Sequence, residues 1–288
     1  MDFLDEIQSR VLPADAEMQR RLEELGVPSH ACREELCVNA GETVAAVHDE
    51  FIAAGARVIR TNTFAANAVQ LATRGLSHRV SEINWSAAQL ARDCARGKGV
   101  YVAGRVGPLQ MTAEQARADG IDRAEVFEEQ IGALLDGGAQ LICFESFTDV
   151  EEMLIALTAK QALHHCPAIC SFAPSQAGLL AGGTEISAAF SRLIAADADL
   201  VGVGSGPGPA AMARLLTSLP TGVLLAGFPN ARETEEDSSD ASVEHFAAGA
   251  KELVLRRVRL LGGGRGTGPQ HVAAVAALLN ASSEEGAE

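Results

Sequence analysis

Basic residues are in short supply in this chain. Twenty-three Lys and Arg stand against 38 Asp and Glu, a net charge of −15. That balance excludes non-specific binding to nucleic acid or to anionic membrane, both of which need basic patches. No apolar run approaches the ~18 residues a membrane span requires. The N-terminus, Met1-Asp2-Phe3-Leu4-Asp5-Glu6, lacks the basic start and apolar core of a secretory signal, so a cytoplasmic protein is expected. The six cysteines (Cys32, Cys37, Cys94, Cys143, Cys166 and Cys170) contain no CxxC pair. In a reducing compartment they read as buried thiols and not as disulfides. Aromatic residues make up only 4% of the chain, so the core must be built mainly from aliphatic side chains.

That aliphatic material is plentiful: 47% of the 288 residues are hydrophobic, with many Ala, Leu and Val. The length suits an α/β barrel. A pattern recurs along it. A helix ends in a small-residue turn, a short apolar strand follows, and polar residues come next. Ala54-Gly55-Ala56-Arg57-Val58-Ile59 leads to Thr61-Asn62-Thr63-Phe64, and Gly137-Gly138-Ala139-Gln140-Leu141-Ile142-Cys143-Phe144 leads to Glu145-Ser146. Ala196-Asp197-Ala198-Asp199-Leu200-Val201-Gly202-Val203 leads to Gly204-Ser205-Gly206. Strands are expected at 11–14, 57–61, 100–104, 139–144, 168–172, 199–203, 222–226 and 257–261, most followed by a helix. Near-continuous apolar strands alternating with helices indicate a parallel sheet covered on both sides. Eight such units point to a single-domain (β/α)₈ TIM barrel over residues 1–288, with a doubly wound open sheet as the runner-up. Residues 1–10 read as an acidic N-terminal helix, 232–240 as a mobile acidic loop, and 282–288 as a frayed tail.

In either architecture the site lies at the C-terminal ends of the strands. Those ends carry Asp15, Thr61, Asn62, Arg105, Glu145, Ser205, Asn230 and Arg265. The last strand runs into Gly262-Gly263-Gly264-Arg265-Gly266-Thr267-Gly268, and Pro269 then opens a helix. Such a turn either presents free N–H groups to an anion or is simply a tight turn with no ligand.

At these strand ends the sequence resembles the homocysteine S-methyltransferase family, over nearly its whole length. The carriers are Phe51-Ile52-Ala53-Ala54-Gly55-Ala56 with Thr61-Asn62-Thr63-Phe64-Ala65-Ala66-Asn67, and Val102-Ala103-Gly104 with Val106-Gly107-Pro108. Phe144-Glu145-Ser146-Phe147-Thr148-Asp149, Gly206-Pro207-Gly208-Pro209 and Pro229-Asn230 continue it, and Gly262-Gly263 with Gly266-Thr267, Pro269 and His271 close it. The resemblance implies a (β/α)₈ barrel and methyl transfer to homocysteine on a zinc ion held by three cysteines. The positions matching those cysteines are Ser205, Gly264 and Arg265, and Gly204 stands at the preceding asparagine. The first strand also departs, reading Asp15-Ala16-Glu17-Met18-Gln19-Arg20 without the family's turn glycines. Asp15 and Glu145 match residues that help hold the substrate's amino group. They also have plainer readings, Asp15 as a helix N-cap and Glu145 as a partner for Arg105 or Arg265. His48 and His271 match helix positions outside the zinc set, and no catalytic histidine is expected.

No metal and no other cofactor is therefore expected. Three readings follow. One is a zinc-free family member whose Asp15, Thr61, Asn62, Arg105, Glu145, Asn230 and Arg265 bind a small amino-acid-like or anionic ligand. Another is a non-catalytic homologue, in a homo- or hetero-oligomer, that serves a partner protein. The third is an active homocysteine S-methyltransferase with an unusual metal arrangement. Arg265 is expected either to pair with Asp15 or Glu145 or to face an open mouth and bind an anion.

Overall fold

Each strand is short because it has only to cross the wall of a barrel. In the computed structural model, which describes residues 2–216, 222–233 and 242–285, the strands are β1 (Leu12–Pro13), β2 (Val58–Arg60), β3 (Tyr101–Val106) and β4 (Leu141–Phe147), then β5 (Ala168–Phe172), β6 (Leu200–Gly204), β7 (Leu224–Phe228) and β8 (Val258–Leu261). All pair in parallel, in the order β1-β8-β7-β6-β5-β4-β3-β2. The ring closes through a parallel bridge between Ala14 and Val58, with Arg57 N donating to Pro13 O at 2.7 Å and Asp15 N to Val58 O at 3.0 Å. The expected TIM barrel is the observed fold, and the open sheet is set aside.

The helices are α1 (Phe3–Ser9), α2 (Met18–Glu24), α3 (Leu36–Asn39), α4 (Gly41–Ala53), α5 (Ala68–Ala72), α6 (Val80–Ala95) and α7 (Ala113–Ala118). They continue with α8 (Arg123–Asp136), α9 (Val150–Leu163), α10 (Ile186–Ala195), α11 (Pro209–Leu215), α12 (Val243–Leu255) and α13 (Pro269–Glu285). Eight of them, α4, α6 and α8 to α13, each follow one strand and wrap the sheet. Of the short insertions, α2 lies within the segment 16–26 that reads as helical up to Gly26, whereas sequence periodicity did not separate α3, α5 and α7, because each is too brief to show a repeat. Local chemistry sets several starts: Asn67, Asp122, Asp149 and Ser242 accept backbone N–H groups at the heads of α5, α8, α9 and α12. The α13 helix runs on through Glu285, so the segment expected to fray from 282 is helical at least that far. Residues 286–288, and 234–240 of the acidic loop, lie outside the described residues.

Strand parity sorts the core into two shells. Alternate residues, among them Val58, Ala103, Leu141, Cys143, Ile169, Leu200, Ala226 and Leu260, fill the barrel interior. The other parity, including Val106, Ile142, Phe144, Phe172 and Val201, packs against the helices. Helix α1 closes the bottom: Phe3 and Ile7 sit on the interior cluster, and the Phe3 and Tyr101 rings meet edge to face at 5.3 Å. With the bottom plugged, the one open end is the C-terminal mouth. All six cysteines are free thiols, as expected.

Candidate active site at the barrel mouth

The strand parity that puts Val58, Ala103 and Cys143 inside also puts Arg60, Arg105 and Glu145 inside, one layer nearer the mouth. These join Asp15, just past β1, in a cluster of four charges. The Arg60 guanidinium is the centre. Its Nε donates to Asp15 Oδ1 at 2.6 Å and its Nη1 to Glu145 Oε2 at 2.6 Å. Its Nη2 reaches the carbonyls of Asp15 at 3.1 Å and Gly263 at 2.9 Å. The Arg60 backbone N–H serves Asp15 Oδ2 at 2.7 Å, and the guanidinium lies 4.4 Å from the centroid of the Phe228 ring. Arg105 grips Glu145 from the other side, Nε to Oε2 at 2.8 Å and Nη2 to Oε1 at 2.5 Å. Its guanidinium lies 5.0 Å from the centroid of the Phe64 ring. Asp15, Arg60 and Glu145 are fully buried, and the Arg105 side chain is 13% exposed.

Two positive and two negative charges cancel here, and the four carboxylate oxygens each accept a hydrogen bond. Burial pushes the Glu145 carboxyl up, but Arg105 and Arg60 outweigh it and hold Glu145 below the ordinary carboxylate range. Burial prevails at Asp15, which Arg60 alone contacts, and its carboxyl is held above its ordinary value. Arg60 itself is pushed up by the two carboxylates against the cost of burial, so it stays charged. Cys143, beneath the cluster, is buried and pushed far up, and Cys170 likewise, so neither thiol supplies a thiolate.

Above the cluster opens a cavity of about 270 Å³, lined by Arg105, Glu145, Ser146, Ser205 and Arg265 together with Glu17, Gln19, Phe64, Gln110 and the glycines at 263 and 264. The structure thus brings Arg105, Glu145, Ser205, Gly264 and Arg265 together at the mouth. Asp15 lies under this layer and does not line the cavity. It is no helix cap either, because α2 starts after Glu17 and has no side-chain cap. Thr61 and Asn62 are turned to structural work. Thr61 Oγ1 accepts from Arg105 N at 2.9 Å, and Asn62 Nδ2 donates to Arg33 O at 2.7 Å. Asn230 is a tie between loops: its Nδ2 donates to Gly206 O at 2.8 Å and its Oδ1 accepts from Arg265 N at 2.8 Å.

Arg265 does not pair with Asp15 or Glu145. Its side chain is exposed at the rim and makes no hydrogen bond or ion pair among the described residues. The buried cation expected from the eighth strand comes instead from the second, as Arg60. Its signal was parity. Arg60 lies two residues beyond the interior residue Val58, as Arg105 lies beyond Ala103 and Glu145 beyond Cys143.

The glycine run proves to be a packing turn. Its seven N–H groups are all engaged: Gly262 with Gly227 O, Gly263 with Asp15 O, Gly264 with Pro229 O, Arg265 with Asn230 Oδ1, Gly266 with Glu17 Oε2, Thr267 with Gly264 O and Gly268 with His271 Nδ1. None is free to cradle an anion. The glycines are there because side chains do not fit: a Cβ on Gly262 would come within 2.7 Å of Asp15 O, and one on Gly263 within 2.2 Å of Thr267 Oγ1.

The same geometry bears on zinc. Zinc takes N, S or carboxylate ligands at about 2.0–2.3 Å. A Cβ on Gly264 would lie 2.6 Å from both Phe228 O and Asn230 Oδ1, so this backbone has no room for a cysteine there. Ser205 offers a hydroxyl, and Arg265 a cation. The three positions do not fit a thiolate-held zinc ion. Among the described residues, no group of three His, Cys, Asp or Glu side chains is placed to hold a metal. No helix there is long and apolar enough to cross a membrane.

Residues 7–279 match the family model for homocysteine S-methyltransferase. The chain is 27% identical to methionine synthase of Mycobacterium tuberculosis and 26% identical to that of Mycobacterium leprae. Each match spans 96% of this chain but 25% of the relative, so the chain covers about a quarter of the length of these relatives. Among solved structures, the Escherichia coli homocysteine methyltransferase MmuM is similar in fold. Its metallated form has a TM-score of 0.77 at 23% identity over 93% of this chain and 96% of that one. Its oxidised form has a TM-score of 0.79 at 22% identity over 96% and 99%. With the family model matched from the first helix into the last, this chain belongs to the homocysteine S-methyltransferase family.

Proposed function

We propose that this protein is a divergent, zinc-free member of the family whose barrel mouth binds a small amino-acid-like or anionic ligand. One observation carries the reading: guanidinium groups occupy both Asp15 and Glu145, while the positions of the expected zinc thiolates hold a hydroxyl, a glycine without room for a side chain, and a cation. The chemical consequence is specific. A methyl acceptor thiol must ionise to attack. A free thiol has a pKa of ~8.5, so about a few per cent is thiolate near neutral pH. A metal ion deprotonates a bound thiol outright and fixes its position. Arg105 and Arg265 favour a thiolate only electrostatically and hold it in no defined geometry. Family-type methyl transfer is therefore disfavoured here.

A second reading is a non-catalytic subunit or regulator of a partner enzyme. Its support is the coordinated loss of all three ligand positions, now Ser205, Gly264 and Arg265, together with the turn glycines after the first strand. Six free thiols and an acidic surface agree with the cytoplasm in either case. An active homocysteine S-methyltransferase with an unusual metal arrangement is the third reading and has the least support from these residues. The deciding assay offers the purified protein homocysteine with methyl-folate, methyl-cobalamin, betaine or S-methylmethionine as donor. Little or no methionine is expected from any of them. Zinc-dependent turnover at ordinary enzymatic rates with one donor would establish the third reading.

A further inference from the structure

We infer that the mouth is built for a small oxyanion, a carboxylate or a phosphate, and that it has lost the ability to select an ammonium group. This deepens the proposed function and rests on its zinc-free reading. An ammonium is selected by a carboxylate with charge to spare, and the acids here are already engaged by guanidinium or backbone N–H groups. Asp15 is sealed beneath the cavity by Arg60, and Glu145 accepts from Arg60 on one side and Arg105 on the other. The remaining acid facing the cavity, Glu17, accepts the Gly266 N–H through Oε2 at 2.6 Å; burial raises its carboxyl above the ordinary value, while the charges of Arg105, Arg265 and Arg20 already act on it in the opposite direction.

The uncommitted groups are donors. Arg265 lines the cavity with a guanidinium that has no partner among the described residues. Arg105 spends Nε and Nη2 on Glu145 and leaves Nη1 unused. Ser146 Oγ is buried and has no partner, although a hydroxyl in that position ordinarily finds one. A planar or tetrahedral oxyanion accepts from guanidinium and hydroxyl together, and a guanidinium binds it with paired N–H groups. The backbone concentrates strain at the same place. Among the described residues five non-glycine positions have φ in the left-handed region, and three of them, Gln110 (59°), Ser146 (63°) and Ser205 (49°), line this cavity. Left-handed conformations of such residues persist where the surroundings enforce them, and they gather at ligand sites. Two of these three carry hydroxyls, and the third an amide.

Titration calorimetry with four probes tests the inference: 4-mercaptobutyrate, homocysteine, 3-aminopropane-1-thiol and inorganic phosphate. The first three share a thiol and a short chain and differ only in carrying a carboxylate, both groups, or an ammonium. Heat is expected from 4-mercaptobutyrate, from phosphate, or from both, which also tells a carboxylate site from a phosphate site. No heat is expected from the aminothiol, and homocysteine should bind no more tightly than its desamino analogue. Arg265→Ala should weaken oxyanion binding at least tenfold with an unchanged melting temperature, because that exposed side chain makes no hydrogen bond or ion pair among the described residues. The inference is overturned if no oxyanion binds, if the aminothiol binds, if homocysteine is preferred tenfold or more, or if Arg265→Ala keeps full affinity. Zinc content measured on the same samples separates the two levels. Stoichiometric zinc would end the zinc-free reading itself, whereas zinc-free protein that ignores oxyanions would end only this inference.

Discussion

At the residue scale the mouth is governed by Arg60. A buried charge is tolerated only when paired and fully hydrogen-bonded, and Arg60 meets that condition with two carboxylates, two or more carbonyls and an aromatic face. The arrangement is unforgiving of partial removal. Arg60→Met leaves Asp15 without its counter-ion in a fully buried place, and loss of one member of such a set costs about 3–5 kcal/mol. Urea unfolding should show a loss of that size, and Arg60→Met with Asp15→Asn should recover part of it. A loss below about 1 kcal/mol in the single variant would mean that the cluster is not a closed electrostatic unit. Arg265→Ala is the natural contrast, since that side chain is exposed and unpaired, and its effect on stability should stay within about 0.5 kcal/mol.

At the scale of elements, much was legible. The eight strands lie within a residue or two of the apolar runs that announced them, apart from β4, which continues to Phe147 beyond the expected end at 144. That extension was hidden because Glu145 and Ser146 look like loop residues until the ion pairs of Glu145 are known. The site residues were less legible. Strand-end position alone selected Thr61, Asn62 and Asn230, which bind backbone, and passed over Arg60, which closes β2. Position along a strand gives the height in the barrel, whereas parity gives the side, and both are needed. The glycine run misled for a related reason. Glycine tolerates a close approach by anything, and here it is approached by Asp15, Thr267 and Phe228 rather than by a ligand. A separate consequence sits on α4, where His48 is fully buried with both ring nitrogens unpartnered among the described residues. Burial lowers its pKa to about 4 from 6.5. The folded state therefore resists a proton that the unfolded chain accepts. Stability should fall as pH drops from about 6.5 towards 4 and level off below, by about 3 kcal/mol in all. The Glu145 contribution is a separate event, lost only at lower pH, because its carboxyl is held below the ordinary carboxylate range. Denaturation midpoints for His48→Leu should be flat between pH 6.5 and 5 where the parent's decline. Parallel curves would show that another group controls this window.

At the scale of the whole molecule, the barrel and the chemistry at its mouth are decoupled. Core packing consists of an interior cluster that includes the α1 plug and an outer cluster against the helices, both built from apolar side chains. A chain that buries this much apolar surface does not need a metal site to hold its fold. Family membership thus establishes ancestry and architecture, while the residues at the mouth decide the chemistry. The central claim is that fixed guanidinium charge stands where relatives of this type would hold a metal. The most direct measurement is the zinc content of the protein after purification from zinc-supplemented growth, without chelators. The account predicts far less than one zinc per chain, with a melting temperature unchanged by added zinc or EDTA. About one tightly held zinc per chain, with a melting temperature that chelation lowers, would contradict it.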